Sequence, residues 1–367
     1  MIGSKIFQLT KPALFLLPPE QAHHLSIKAL KSGLLPQCKN ALDSKLQRTI
    51  AGLDFPNPIG IAAGYDKNGE VPDALLRMGF GFAEVGTITP RSQSGNPRPR
   101  IFRLEQQQAI INRLGFNNQG HEAVLRRLNS RTRSGSPNGI VGINIGANKD
   151  TNDFVADYVK GIETFASLAS YFTVNISSPN TPGLRNLQAA DALTRLLDNV
   201  LGKRDAIGEE IGRTVPVFLK IAPDLNDKEL DEIAEVINAS ALDGVIISNT
   251  TIDRSVLANA SDGKEQGGLS GKPLFEKSTI LLAKMRQRLA DNLPIIGVGG
   301  VDSVDTAIAK LEAGADLIQI YTGLVYQGPG LPQKIARGLS ELVNREKLNN
   351  IGEIVGRMTG HWAEKQE

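Results

Sequence analysis

Polar side chains gather where short apolar runs end. Gly64-Tyr65-Asp66-Lys67-Asn68-Gly69 follows one run, and Thr87, Asn144 and Lys220 mark the ends of three others. Two more end in Asn175-Ile176-Ser177-Ser178-Pro179-Asn180 and Ser248-Asn249-Thr250. In this set asparagines and lysines outnumber carboxylates. An asparagine offers an amide donor and a carbonyl acceptor, so several converging ones suit a planar heterocycle whose edge alternates C=O and N–H. A pyrimidine ring and an isoalloxazine ring both qualify. Lys220 would be a fixed cation for negative charge arising on such a ring, or the partner of a carboxylate. Ser177 and Ser178 are both candidates for moving a proton. Adjacent residues on a strand end point to opposite sides, so only one can face the ring.

Three glycine-rich stretches add a second chemistry. Gly267-Gly268-Leu269-Ser270-Gly271, Gly297-Val298-Gly299-Gly300-Val301 and Tyr321-Thr322-Gly323 can present backbone N–H groups to a phosphate. Tight turns need glycine for geometric reasons too, so the placement after late strands carries the argument, not the composition. Any one Asn or Ser here could equally cap a helix or form an Asx turn. Amide-rich strand ends together with phosphate loops point to a mononucleotide lying over a barrel mouth, and flavin mononucleotide (FMN) has that shape.

The elements that must position these groups alternate regularly. β-Branched and apolar runs at 58–63, 81–89, 140–145, 172–176, 215–221, 244–248, 295–298 and 317–320 are each followed by a helical pattern. That is the signature of βαβ units, and eight of them predict an α/β fold of the (β/α)8 TIM barrel type. A doubly wound sheet would carry a Gly-rich fingerprint at its first turn, and Ala62-Ala63-Gly64-Tyr65-Asp66 is not one. Insertions at 90–118 and 250–272 follow strands and so belong to the catalytic face. The first is expected to be a solvated or substrate-gating loop. Residues 1–45 read as an N-terminal helical extension, with a helix start at Pro18-Pro19-Glu20, and residues 46–367 as the barrel domain.

Composition sets limits. With 367 residues, 41 Lys plus Arg and 39 Asp plus Glu, the net charge of +2 provides no field for nucleic acid. Arg91, Arg98, Arg100 and Arg103 cluster, but among prolines and few aromatics. A single cysteine, Cys38, excludes an internal disulfide or a Cys-ligated metal centre and suits a reducing cytoplasm. No run is long enough to span a bilayer, and the apolar stretch at 13–17 stops at Pro18.

The run Asn175-Ile176-Ser177-Ser178-Pro179-Asn180-Thr181-Pro182-Gly183-Leu184-Arg185 closely resembles the dihydroorotate dehydrogenases, specifically the membrane-associated, quinone-reducing class 2. Ala62-Ala63-Gly64-Tyr65-Asp66-Lys67, Gly95-Asn96-Pro97-Arg98-Pro99-Arg100, Asn112-Arg113-Leu114-Gly115-Phe116-Asn117-Asn118 and Ser248-Asn249-Thr250-Thr251 extend the resemblance across nearly the whole chain. It implies oxidation of dihydroorotate to orotate, with substrate held by Lys67, Asn112, Arg113, Leu114, Gly115, Phe116, Asn175, Asn180, Asn249 and Thr250. FMN would be held by Ala63, Gly64, Lys67, Thr87, Asn144, Asn175, Lys220, Ser248, Gly271, Gly300, Tyr321 and Thr322. By the same resemblance Ser178, rather than Ser177, takes the C5 proton while hydride leaves C6 for the flavin. Class 1 relatives use cysteine at that place. A serine is a poor base in water, so a proton path is needed, through a bound water or Thr181, with electrostatic help from Lys67.

The resemblance further implies reoxidation by ubiquinone or menaquinone entering under the N-terminal helices, past His23 and Arg103. Ile6, Phe7, Leu9, Leu14, Phe15, Leu16 and Leu17 are expected to face lipid, giving a peripheral, monomeric protein on the cytoplasmic face of the cell membrane with no partner subunit. Two rivals have less support. A zinc hydrolase such as dihydroorotase needs clustered ligands, and none of His23, His24, His121 and His361 lies at a predicted strand end. A ligand-storing barrel without turnover would not need Ser178 and Lys67 together.

Overall fold

The computed structural model describes residues 2–33, 43–133, 139–257 and 263–365; Cys38, part of the second insertion and the side chain of Ile6 lie outside the described residues. Two helices open the chain, α1 (Ile2–Leu16) and α2 (Pro19–Lys31). α2 starts where the Pro-Pro-Glu run predicts. Proline in a first turn sacrifices no helical hydrogen bond, and Glu20 there and Lys28 and Lys31 in the last turn suit the helix dipole. A tight hairpin follows, β1 (Arg48–Ile50) and β2 (Leu53–Phe55), turning through Ala51 and Gly52 at positive φ.

The repeats begin with β3 (Ile59–Asp66), α3 (Pro72–Arg77) and β4 (Phe82–Ile88). The first insertion carries β5 (Ile101–Leu104) and β6 (Ala109–Asn112) before α4 (Gly120–Arg133). Next come β7 (Ile140–Ile145), α5 (Phe154–Phe165), β8 (Tyr171–Asn175), α6 (Ala190–Ile211), β9 (Val217–Ile221), α7 (Asp227–Ala239) and β10 (Gly244–Ile247). The second insertion carries β11 (Gly268–Gly271), ahead of α8 (Phe275–Arg286), β12 (Ile295–Val298), α9 (Val304–Glu312) and β13 (Leu317–Ile320). α10 (Thr322–Gln327), α11 (Leu331–Arg345) and α12 (Thr359–Ala363) complete the chain. The eight parallel strands β3-β4-β7-β8-β9-β10-β12-β13 close on themselves through the β13–β3 pair, as the sequence predicts.

The barrel interior is layered. At its N-terminal end, Phe82, Tyr171 and Phe218 point inward, and each is paired in register with a glycine on the adjacent strand: Gly60, Gly142 and Gly244. A Cβ on those glycines would lie 2.1–2.4 Å from the facing ring, so each large side chain occupies its neighbour's missing volume. Ile50 and Phe55 of the β1–β2 hairpin seal this floor, with Phe55 edge-on to Phe82 at 5.2 Å. Above it, polar side chains of β4, β7, β8, β9 and β13 fill the middle.

The first insertion is not simply a loop. β5, β6 and β11 form a three-stranded antiparallel sheet, with β6 in the centre joining the two insertions. Nor is the arginine cluster uniformly solvated. Arg100 is only 5 % exposed and pairs with Glu20 of α2 at 2.7 Å, while Arg98 meets the same carboxylate at 3.0 Å. The insertion thereby ties the helical extension to the barrel.

Candidate active site

A cavity of about 660 Å³ runs from the polar interior of the barrel to the space between α1 and α2. It brings together almost every predicted site residue. Ala63, Gly64, Lys67, Thr87, Asn112, Leu114, Gly115, Phe116, Asn175, Ser178, Asn180, Lys220, Ser248, Asn249, Thr250, Gly271, Gly300, Tyr321 and Thr322 all line it. His23 and Arg103 line it toward the helices. Two residues stand apart. Asn144 lies behind the wall, and the Arg113 side chain turns outward to Glu265 at 2.6 Å, with its guanidinium over the Phe102 ring. Any part Arg113 plays in the site therefore comes through its backbone.

The polar interior is a directed hydrogen-bond chain. Asn144 Nδ2 donates to Glu84 at 2.8 Å, which leaves its Oδ1 to accept from Thr87 Oγ1 at 2.6 Å and Asn175 Nδ2 at 3.3 Å. Asn175 Oδ1 in turn accepts from Asn249 Nδ2 at 3.3 Å and Ser177 Oγ at 3.0 Å. Tyr158 OH donates to the Asn175 carbonyl at 2.6 Å and fixes the strand end from outside. These groups hold one another in place, so their free edges face the cavity in set orientations.

The two serines differ in place. Ser177 is fully buried, its Oγ spent on Asn175 and on Asn249 Nδ2 at 2.9 Å. Ser178 lines the cavity, and its Oγ accepts from the Asn180 backbone N–H at 3.3 Å. Three residues on, Thr181 Oγ1 is buried with no hydrogen-bond partner among the described residues. The loop is held by Arg185, which donates to the Ser177 carbonyl at 3.0 Å and the Thr250 carbonyl at 3.1 Å while paired with Asp224 at 2.9 Å.

Charge in the cavity is cationic and poorly solvated. Burial, opposed by Glu20, brings the Lys67 ammonium down to about 8, and its Nζ donates to the Gly64 carbonyl at 2.7 Å. Lys220 is also lowered by burial, with Glu84 acting in the opposite direction. His23 stands edge-on to Tyr65 at 5.3 Å and is pushed down to about 2, by burial and then by Lys67 and His24, so it is neutral.

At the far side, Gly271 and Gly300 have φ of 100° and 72°, and a Cβ on them would meet the Gln108 carbonyl and the Phe275 side chain at 2.3 and 2.4 Å. Ser270 and Thr322 share a hydrogen bond of 2.8 Å beside them. Bare backbone next to hydroxyls is a cradle for a phosphate, and with the amide-lined interior it fits a mononucleotide bearing a flat polar ring.

The helical end is apolar. Phe7, Leu14 and Phe15, expected to face lipid, line the cavity instead, while Leu9 and Leu16 are 82 % and 87 % exposed. Arg103 lies 4.7 Å from the centre of the Phe15 ring and donates to the Phe15 and Leu17 carbonyls, capping the end of α1. Among the described residues no helix is long and apolar enough to cross a membrane. Sequence reasoning missed Glu84, Tyr158 and Gln319, which lie on strands or helices rather than at their ends. Arg185 was within its reach as part of the Ser178 run.

Known proteins share this arrangement. The family described as Dihydroorotate dehydrogenase matches residues 45–343. Proteins named Dihydroorotate dehydrogenase (quinone) from Brucella ovis and Brucella suis are each 60 % identical over 358 residues, which is 98 % of this chain and 97 % of theirs. Two crystal structures of DHODH from Eimeria tenella, one ligand-free and one with ferulenol, superpose with TM-scores of 0.88 at 38 % identity. They cover 92 % of this chain and 95 % (ferulenol complex) or 99 % (ligand-free) of their own. Fold, cavity and sequence agree: the chain belongs to the dihydroorotate dehydrogenase family.

Proposed function

We propose that this protein oxidises (S)-dihydroorotate to orotate in de novo pyrimidine biosynthesis and passes the electrons to a quinone. The observation that carries the reading is one continuous cavity. It holds Ser178, Lys67 and the asparagine set at one end and at the other opens between two helices that line it with Phe7, Leu14, Phe15, Ala22 and Ala29. The residues fit FMN, with Gly271, Gly300 and Thr322 at its phosphate and Thr87, Asn175 and Lys220 at its ring. FMN, when bound, supplies the two-electron acceptor for the hydride from C6.

The chain's own groups do the rest. Lys67 neutralises the substrate carboxylate, while Asn112, Asn175, Asn180, Asn249 and Thr250 address the ring's alternating edge and fix its orientation. Ser178 Oγ receives the C5 proton as its own hydrogen moves on toward solvent, relayed by a water or by Thr181 Oγ1, which has no hydrogen-bond partner among the described residues. Because Asn180 N–H donates to Ser178 Oγ, negative charge on that oxygen is stabilised as the proton leaves. Arg185 positions the loop.

Residues 1–45 form the quinone-access extension and 46–367 the catalytic domain. Exposed Leu9 and Leu16 suit peripheral contact with the cytoplasmic face of the membrane, as a monomer, while Phe7, Leu14 and Phe15 admit a quinone past His23 and Arg103. The test is Ser178→Ala. The variant should keep its yellow colour, yet bleaching by dihydroorotate without oxygen should slow by about 10²–10⁴-fold, while Ser177→Ala slows it less. The reverse ranking would sink the assignment.

A further inference from the structure

Glu84 is a carboxylate with no exposure at all, in the middle of the barrel beneath the cavity. Its Oε1 accepts from Asn144 Nδ2 at 2.8 Å. Its Oε2 accepts from Tyr171 OH at 3.0 Å and Gln319 Nε2 at 2.6 Å. Burying a charge in this way is costly, and the floor immediately below shows that apolar side chains fill this barrel well. A requirement other than packing therefore keeps the carboxylate in place.

A carboxylate can only accept hydrogen bonds, so it dictates the sense of those above it. With Nδ2 of Asn144 committed downward, Oδ1 must face Thr87 and Asn175, and Asn175 must then turn its own Oδ1 to Ser177 and Asn249. Glu84 also attracts Lys220, which otherwise stands in a desolvated wall of the cavity. One residue thus anchors both the donor pattern and the countercharge of the ring end.

We propose that Glu84 is a positioning residue that sets the reduction potential of the bound flavin, by countercharging Lys220 and fixing the Asn144–Thr87–Asn175 hydrogen bonds. This rests on the FMN reading. The test is Glu84→Gln, a near-isosteric change that Gln319 can accommodate by turning its Oε1, which has no partner among the described residues, toward the new amide. With the negative charge gone, Lys220 acts uncompensated on a ring that becomes more negative on reduction. At neutral pH, where the reduced ring carries the negative charge, the equilibrium should shift toward reduced flavin by about tenfold, or about 30 mV for the two-electron couple. Orotate, whose edge meets the reoriented asparagines, should bind more weakly.

A purely structural role would lower thermal stability and leave potential and orotate affinity unmoved, and that result would overturn the proposal. Should Glu84→Gln not fold, Tyr171→Phe removes one donor while keeping the charge, and should move the equilibrium the opposite way by roughly threefold. An unchanged potential there would be equally fatal. If the unsubstituted protein binds no flavin, the FMN reading itself fails, and the two failures are thus distinguished.

Discussion

Lys67 should make product binding sensitive to pH in a window where few other groups titrate. Its ammonium is brought down to about 8 by burial. At that value about nine-tenths of the free protein carries the charge at about pH 7 and about one-tenth at about pH 9, one decade per unit on either side. Orotate is an anion, so its dissociation constant should rise about tenfold between those limits on account of Lys67 alone. Bound anion favours the charged lysine, so binding near pH 8 should take up about half a proton per site. Calorimetry in buffers of different ionisation heat measures that uptake directly. His23, lowered to about 2, stays neutral throughout and does not contribute. Lys67→Met should bind orotate weakly at every pH and lose the slope. A dissociation constant in the unsubstituted protein that stays flat across this range, or a slope that survives in Lys67→Met, would refute the reasoning.

Other outcomes follow from the same geometry. Deleting residues 1–45 should abolish quinone reduction and detergent or vesicle binding while sparing anaerobic bleaching by dihydroorotate; undiminished quinone turnover would count against the access role. Arg103→Leu should raise the KM for quinone without moving that for dihydroorotate, because the guanidinium sits at the helical end. Gly60→Ala and Gly142→Ala place a methyl group inside the Phe82 and Tyr171 rings, and each should cost about 1–3 kcal/mol in denaturant unfolding. A neutral effect at both positions would mean that the floor is looser than its geometry.

The barrel was legible because each strand is a short apolar run with polar residues at its end, a pattern carried by neighbours in sequence. The central place of β6 was not, since Gly268 of its partner strand lies far along the chain from Asn112, and nothing local foretells that pairing. Glu84 escaped for a related reason. Between Ala83 and Val85 it reads as an isolated charge, and only the closed register shows Asn144, Tyr171 and Gln319 aimed at it. Family position favoured Ser178 over Ser177; what the sequence could not show is that Asn249 engages Ser177 Oγ while Ser178 lines the cavity. Family motifs named Arg113 without distinguishing backbone from side chain, and the ion pair with Glu265 supplies that distinction.

The sheet over the barrel mouth has a bearing on exchange between relatives. Because β6 lies between β5 and β11, the segments after β4 and β10 share one set of ladder bonds, and Asn112 comes from one while Gly268 comes from the other. Neither segment is a transferable cassette. A chimera that imports one without the other would break the ladder at its central strand, and with it the attachment of α2 through Arg100. Quinone preference should therefore move between relatives only when helices, first insertion and second insertion are transplanted as a single heritable unit.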